Sequence, residues 1–365
     1  MTTLTTAQID DLMKLTLQEA GRGRMTDIAS TLQHYTVKQY LMPGRLIFPA
    51  GDQIDRMVAV KDTGGARMVG VGEKDVVNIV DVAQIMSLPW RKMNIPWGYH
   101  TDSVAINAQP AKLFDYVKTQ RAMAMLSGIK LMEEELWGSL SSSTDVKSIY
   151  GIPMWITQSD TTGFNGGNHP NAPSGGLGGL SRTTYSALKN YTFQFTTVSK
   201  ADIFTKLRTG HRKTNWVSPV ELPDFRTGSG RQMRWYTTES NIATLETLAE
   251  GQNDNLGADL GPFTGDDQTA TGVRDGQNTF KGHVIVWVPQ LDAAKDQTGG
   301  TTVNNPWYGI DHGTLHMYGL KNRWMVQTGP FRSYNQHENR EVHLDSMFNV
   351  LCDNARRCLV GTTGA

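Results

Sequence analysis

Hydrophobic positions in the first forty residues recur twice at helical spacing, on Ile9, Leu12, Met13 and Leu17 and again on Ile28, Leu32, Tyr35 and Tyr40. The flexible basic stretch Gly21-Arg22-Gly23-Arg24 separates the two patterns, and Pro43-Gly44 stops the second. Helices this short are marginal on their own in water, so the arm has to dock on another surface. From Arg45 to His100 the pattern changes to short β-type runs, Met57–Val60, Arg67–Val71, Val76–Val80 and Ile85–Leu88, broken by Gly51-Asp52 and by Asp62 to Gly65. These predict a long β-hairpin or loop. A two-stranded excursion needs a neighbouring surface for stability, which is a first hint of oligomerisation.

The most regular segment follows. Asn107 and Pro110 open it as cap and first-turn residues, and Leu113, Phe114, Val117, Met125, Ile129, Met132 and Leu136 repeat at helical spacing as far as about Leu140. Some thirty residues at ~1.5 Å each make a rod of roughly 45 Å, well beyond the average globular helix. Gly128, beside Ser127, is the candidate position for a bend. Beyond it the patterns predict a strand over Val146–Trp155, a long glycine-rich surface loop over Thr161–Ser181, and a basic amphipathic helix over 200–213. Strands follow over 215–220 and 233–238, a helix over 241–249, and an acidic glycine-rich loop from Glu250 to Asp275. A strand over His283–Pro289, a hairpin of Gly313–Tyr318 with Arg323–Thr328, and a closing strand over Glu341–Val360 complete the chain. The mixture is α+β, and no internal repeat is present.

Composition narrows the function classes. The 365 residues are 38% hydrophobic with 37 glycines, ordinary for a globular chain. Lys+Arg 35 balances Asp+Glu 35, so no global field draws the protein to nucleic acid or to a membrane. Cys352 and Cys358, with five residues between them, match neither a disulfide framework nor zinc-site spacing, and read as buried thiols of a reducing compartment. Asp10, Asp11 and Glu19 break any signal-peptide core, and no run approaches the length of a membrane span. A cytoplasmic compartment is expected.

Candidate chemistry adds little. His312 and His316 are four apart but sit at a turn entering a strand, and His337-Glu338-Asn339-Arg340-Glu341 lacks the second histidine of a zinc-protease helix, because His343 arrives late. Gly176-Leu177-Gly178-Gly179-Leu180 has neither the Lys-Ser/Thr nor the preceding strand of a phosphate loop. Glu133, Glu134 and Glu135 span most of a turn and read as a solvated or subunit-facing stripe. Lys200, Lys206, Arg208, His211, Arg212 and Lys213 read as a charged helix face, with phosphate contact the lesser reading. No nucleophile elbow or thiol-protease constellation is present. The expectation is a chain with no catalytic residue, no cofactor and no metal.

Several phrases carry a resemblance. These are Ser87-Leu88-Pro89-Trp90-Arg91, the helix end Glu133-Glu134-Glu135-Leu136-Trp137, and the run from Phe280 to Leu291. Asn305-Pro306-Trp307-Tyr308, Gly329-Pro330 and Asn354-Ala355-Arg356-Arg357 add to them. With the order of parts, they make the chain resemble the major capsid proteins of tailed double-stranded DNA bacteriophages, the Hong Kong 97-like fold.

The resemblance implies an N-arm (1–44), an E-loop (45–100), a P-domain with the spine helix (101–198), an A-domain (199–335) and a C-terminal return to the P-domain (336–365). It further implies hexamers and pentamers closing an icosahedral virion head around DNA, assembled in the bacterial host cytoplasm. Expected partners are other copies, a portal, scaffolding or decoration proteins, and DNA through weak non-specific contact, with no membrane. Only about forty residues precede the loop, so scaffolding is expected from a separate protein or not at all.

Contacts between subunits are expected from Ile9, Leu12, Arg22 and Arg24 in the arm and from Met57, Lys61, Arg67 and Lys74 in the loop. Some relatives join a lysine to an asparagine across subunits, and Lys61 and Lys74 lie where such a lysine falls, although most shells of the family lack the bond. The rival readings are a tail or baseplate component and, further off, a metal-dependent enzyme using His312, His316 and His337.

Overall fold

The computed structural model describes residues 36–42, 45–74, 79–102, 110–215, 232–250, 279–292, 305–334 and 336–363. In chain order, helix α1 (Val37–Leu41) precedes strands β1 (Gln53–Ala59), β2 (Ala83–Pro89) and β3 (Arg91–His100), and then the long helix α2 (Pro110–Leu136). A short helix α3 (Ile152–Trp155), strand β4 (Tyr191–Phe195) and a π-turn (Lys200–Phe204) lead into helix α4 (Thr205–Thr214). Strand β5 (Met233–Thr237) and helix α5 (Glu239–Glu250) follow. The remaining strands are β6 (Thr279–Phe280), β7 (His283–Trp287), β8 (Trp307–Asp311), β9 (Leu315–Gly319), β10 (Val326–Arg332), β11 (Asn339–Cys352) and β12 (Leu359–Thr363).

Three sheets form. β1 and β2 make an antiparallel ribbon, paired from Gln53 with Pro89 to Ala59 with Ala83. A four-stranded sheet is built on β11, which pairs with β3, β10 and β9, all antiparallel. A six-stranded mixed sheet has the order β4-β12-β8-β5-β7-β6. Its strands alternate between two cores. Trp235, Trp307 and Leu359 enter the cluster under α4, while Tyr236, Tyr308 and Val360 enter the larger cluster shared with α2 and the four-stranded sheet. The end of α2 joins the two sheets, with the Trp137 ring 5.4 Å from Tyr236 and 5.6 Å from Tyr308.

Strand β3 is the piece the hydrophobic pattern did not separate from the ribbon. Its burial alternates strictly, with Met93, Ile95, Trp97 and Tyr99 inward and Lys92, Asn94, Pro96 and Gly98 outward. Pro96 and Gly98 look like strand breakers, but among the described residues β3 pairs on one side only, and an edge strand tolerates a residue without an N–H. At Gly98 a Cβ would stand 2.7 Å from the Arg340 carbonyl oxygen, so the glycine permits the close approach of β11.

Other expectations need correction. Val146–Trp155 contains the helix α3 and no strand, because Gly151 and Pro153 set up a helical turn whose four residues are all buried. Arg67–Val71 forms no strand, and 75–78 of the Val76–Val80 run lie outside the described residues. β9 and β10 are not a hairpin. A 3₁₀ turn over Lys321–Arg323 separates them, and each pairs with a different stretch of β11, β9 with Phe348–Cys352 and β10 with Arg340–Asp345.

The closing strand is broken after Cys352 by a turn in which the Asn354 side chain accepts from Arg356 N, so that β12 enters the other sheet. The glycine-rich segment is irregular but packed. Leu177 and Leu180 are buried, and a Cβ on Gly178, at φ 64°, would overlap Met86 of β2. The stretches 216–231 and 251–278 lie outside the described residues, and with them the expected strand at 215–220 and nearly all of the acidic loop.

Candidate inter-subunit surfaces

The ribbon has two unlike ends. Near its base Ile54 is 1% exposed and Leu88 0%, Met86 packs on the glycine-rich segment, and the Trp90 indole donates to the Gly51 carbonyl at 3.0 Å. Farther out, Met57 and Ile85 face each other across the strands at 72% and 61% exposure. Beyond them Met68, Val69, Val71 and Ile79 are exposed as well. Isolated exposed apolar residues are ordinary, but a series along one ribbon that pairs with no third strand among the described residues marks a candidate contact surface.

Of the loop residues singled out in the sequence, Met57 lies on this apolar series and Lys61 is exposed along the outgoing chain. Arg67 and Lys74 meet near the tip, where the Arg67 guanidinium donates to the Lys74 carbonyl and stands 3.9 Å from Glu73. Ile9, Leu12, Arg22 and Arg24 lie outside the described residues.

The arm is described from Thr36, where it meets α2. The Glu133 carboxylate accepts from Thr36 N at 2.9 Å and Val37 N at 2.7 Å, the first donors of α1. It also accepts from the Trp137 indole at 3.1 Å, and that indole donates to the Thr36 hydroxyl at 3.1 Å as well. Helix-start N–H groups have no partner within the helix, so a carboxylate from another element satisfies them as a cap in trans. Thr36, Val37 and Tyr40 are buried at this junction.

Burial raises the Glu133 pKa above its ordinary value, against the downward pull of these hydrogen bonds. The reading of three solvated or subunit-facing acids is therefore wrong at Glu133, which is fully buried. Glu135 is half-buried near Ile149 N. The signal was available, since Glu133 lies four residues from both Ile129 and Trp137, on the apolar stripe of the helix.

α2 runs unbroken through Gly128, which lies under Ile95 of β3, where a Cβ would overlap the Ile95 side chain. The basic helix shows the charged face expected of it. Leu207, Gly210 and Thr214 turn inward, Arg208, Arg212 and Lys213 are exposed, and Lys206 pairs with Asp202 at 2.5 Å.

The histidines of the enzyme reading do not converge. His312 is buried with Nε2 2.7 Å from the Tyr236 hydroxyl, His316 lies 3.7 Å from Asp353, and His337 is on an exposed turn beside Glu338. Cys352 and Cys358 are free and buried, as expected. Among the described residues, one group of three side chains, His100, Asp102 and Glu338, brings metal-ligating atoms within 4.8 Å of one another. No described helix is long and apolar enough to cross a membrane.

No family model matches this chain, and no curated protein matches it. Solved structures do. A chain of the cyanophage A-1(L) capsid asymmetric unit superposes with a TM-score of 0.58 at 15% identity, covering 96% of this chain and 98% of that one. A chain of the capsid of Myoviridae phage XM1 gives 0.54 at 7% identity over 94% and 95%. A capsid chain of the native GTA particle gives 0.52 at 9% over 94% and 93%. At these identities the likeness is one of fold: the chain has the α+β, Hong Kong 97-like fold of phage capsid proteins, as the resemblance implied.

Proposed function

We propose that this chain is the repeating subunit of a phage head, assembling into hexamers and pentamers of an icosahedral shell around double-stranded DNA, with no catalytic role. The observation that carries the reading is the ribbon, held in the core at Ile54 and Leu88 and bare at Met57 and Ile85. A projection with a fixed base and an apolar outer part stabilises the molecule only by lying on another surface, and in a closed shell every copy offers its neighbour the same one. Affinity then multiplies over many modest interfaces. The capsid fold supports the same reading, and a virion location follows from it.

In this reading the arm before Thr36, with Ile9, Leu12, Arg22 and Arg24, reaches a second neighbour, and Lys61, Arg67 and Lys74 line the ribbon contact. The neutral overall charge suits weak non-specific contact with packaged DNA, and a portal and scaffolding or decoration proteins are the further partners. Gly128 is the position about which the long helix bends as the shell expands. Equal curvature of α2 in empty and filled particles would remove it from that role.

Electron microscopy of the purified chain, alone and with the structural proteins of its source, tests the proposal. Closed shells or five- and six-membered rings are expected. Tubes or discs would favour the tail or baseplate reading, and a chain that stays monomeric under both conditions would overturn the proposal.

A further inference from the structure

Strand β3 ends at His100, and its register sets His100 opposite Asn339, the first residue of β11. The turn that precedes β11 therefore lies against the chain leaving β3, and Thr101 N donates to the Glu338 carbonyl at 2.9 Å. This pairing fixes the backbone beneath four side chains with metal-binding chemistry. His100 Nε2 is 3.1 Å from one Glu338 carboxylate oxygen, and His337 Nε2 is 3.2 Å from the other. Asp102 stands on the far side of the His100 ring, its carboxylate 3.8 Å from Nδ1. One donor atom from each of His100, Asp102 and Glu338 lies within 4.8 Å of the other two.

The geometry points to a divalent transition-metal site formed by His100, Glu338 and Asp102, with His337 as an adjacent fourth donor. Neighbouring ligands around a four-coordinate zinc at ~2.0–2.1 Å stand roughly 3.3 Å apart. The present spacings are 3.1 Å between His100 and Glu338 and no more than 4.8 Å within the group, on side chains that are 39% to 65% exposed.

With neutral imidazoles the cluster holds two carboxylate charges and two nitrogen lone pairs, a donor set for a borderline cation such as Zn²⁺ or Co²⁺. The all-oxygen cage preferred by Ca²⁺ or Mg²⁺ is absent from this group. Nε2, the ring nitrogen that faces Glu338, is the His100 atom offered to the ion. The bound ion ties the segment entering α2 to the β10–β11 turn, and positions left open take water or a donor from another copy.

The site is independent of the shell reading, because it is assayed on the dissociated chain. The full-length protein, without a polyhistidine tag and stripped with chelator, is titrated calorimetrically with Zn²⁺, and with Co²⁺ while its visible absorption is followed. One equivalent is expected to bind with a nitrogen–oxygen cobalt spectrum and to raise the melting temperature. H100N and E338Q, both at partly exposed positions, are each expected to weaken binding at least tenfold while the metal-free melting temperature stays unchanged, and H337N to weaken it less. H283N serves as a distant control and leaves binding intact. Absence of a saturable equivalent, or undiminished binding in the H100N/E338Q double variant, overturns the site.

Discussion

Replacing Glu133 by glutamine tests how the arm is held. The carboxylate serves two backbone donors of α1, at 2.9 and 2.7 Å, and the Trp137 indole. Glutamine keeps the shape and one acceptor oxygen but turns an NH₂ group toward one of the two arm amides. A hydrogen bond to a charged acceptor contributes about 1.5–3 kcal/mol, and an orphaned buried donor costs about 1–3 kcal/mol. These overlap, and relief from burying a charge offsets part of the loss. The net cost is about 2 kcal/mol, or roughly a 30-fold rise in opening of the junction.

Hydrogen exchange at the Thr36 and Val37 amides reads this directly, and both should exchange about 30-fold faster in E133Q. The pH dependence has a defined sign. A carboxyl whose pKa is raised in the docked state holds a proton that the undocked state releases. Its contribution is therefore most favourable below the ordinary value of 4.5 and is lost as pH rises through the raised pKa. After correction for intrinsic exchange rates, the unchanged protein should show that slope and E133Q should not. Equal protection of both amides in the two proteins would refute the trans-cap account.

Four further outcomes are expected. M57D and I85D, at exposed ribbon positions, should alter the stability of the isolated chain by no more than about 0.5 kcal/mol while abolishing particle formation in sedimentation or microscopy. G98A should destabilise by about 1–3 kcal/mol in urea denaturation, because the Arg340 carbonyl blocks the methyl group.

Asp145 accepts from Lys147 N at 2.8 Å and from the Ser141 hydroxyl at 2.8 Å. Its burial pushes the carboxyl up, but these bonds outweigh it and hold the pKa well below the usual range. D145N should therefore lower the melting temperature near neutral pH, with the difference from the unchanged protein narrowing as pH falls below the ordinary 3.8. R182M should loosen the glycine-rich segment, measured as faster proteolysis between residues 161 and 181, since buried Arg182 joins Gly167 O at 3.0 Å to the Trp155 carbonyl and to Asn190 Oδ1 at 3.3 Å.

Legibility in the sequence followed the length and regularity of each pattern. The helix Pro110–Leu136 could be read because its apolar positions repeat over many turns, and the ribbon because its short β-type runs are broken by turn residues at Gly51-Asp52 and Asp62 to Gly65. Strand β3 was hidden by Pro96 and Gly98, whose meaning depends on whether a neighbour lies on both sides, and no local pattern records that. α3 was mistaken for a strand because a short apolar run has no period of its own, and Pro153 alone does not settle the choice.

The candidate surfaces divided in the same way. A two-stranded apolar ribbon is legible in the sequence, but that Ile54 is buried while Met57 is bare depends on where the glycine-rich segment folds back. Glu133 is hidden among three adjacent acids, of which it alone falls on the apolar stripe of the helix. The His100, Asp102 and Glu338 group is formed by pairing across more than two hundred residues, so spacing along the chain gives no sign of it.

The long strand β11 and its continuation β12 follow every one of their partners in chain order. β3, β10 and β9 must wait for β11, and the six-stranded sheet stays divided between β4 and β8 until β12 enters. During synthesis the four-stranded sheet cannot close until β11 has left the ribosome, nor the six-stranded sheet until β12 has, so chains interrupted earlier lack a complete core and are open to degradation. Only chains long enough to finish both sheets hold the ribbon on a complete core.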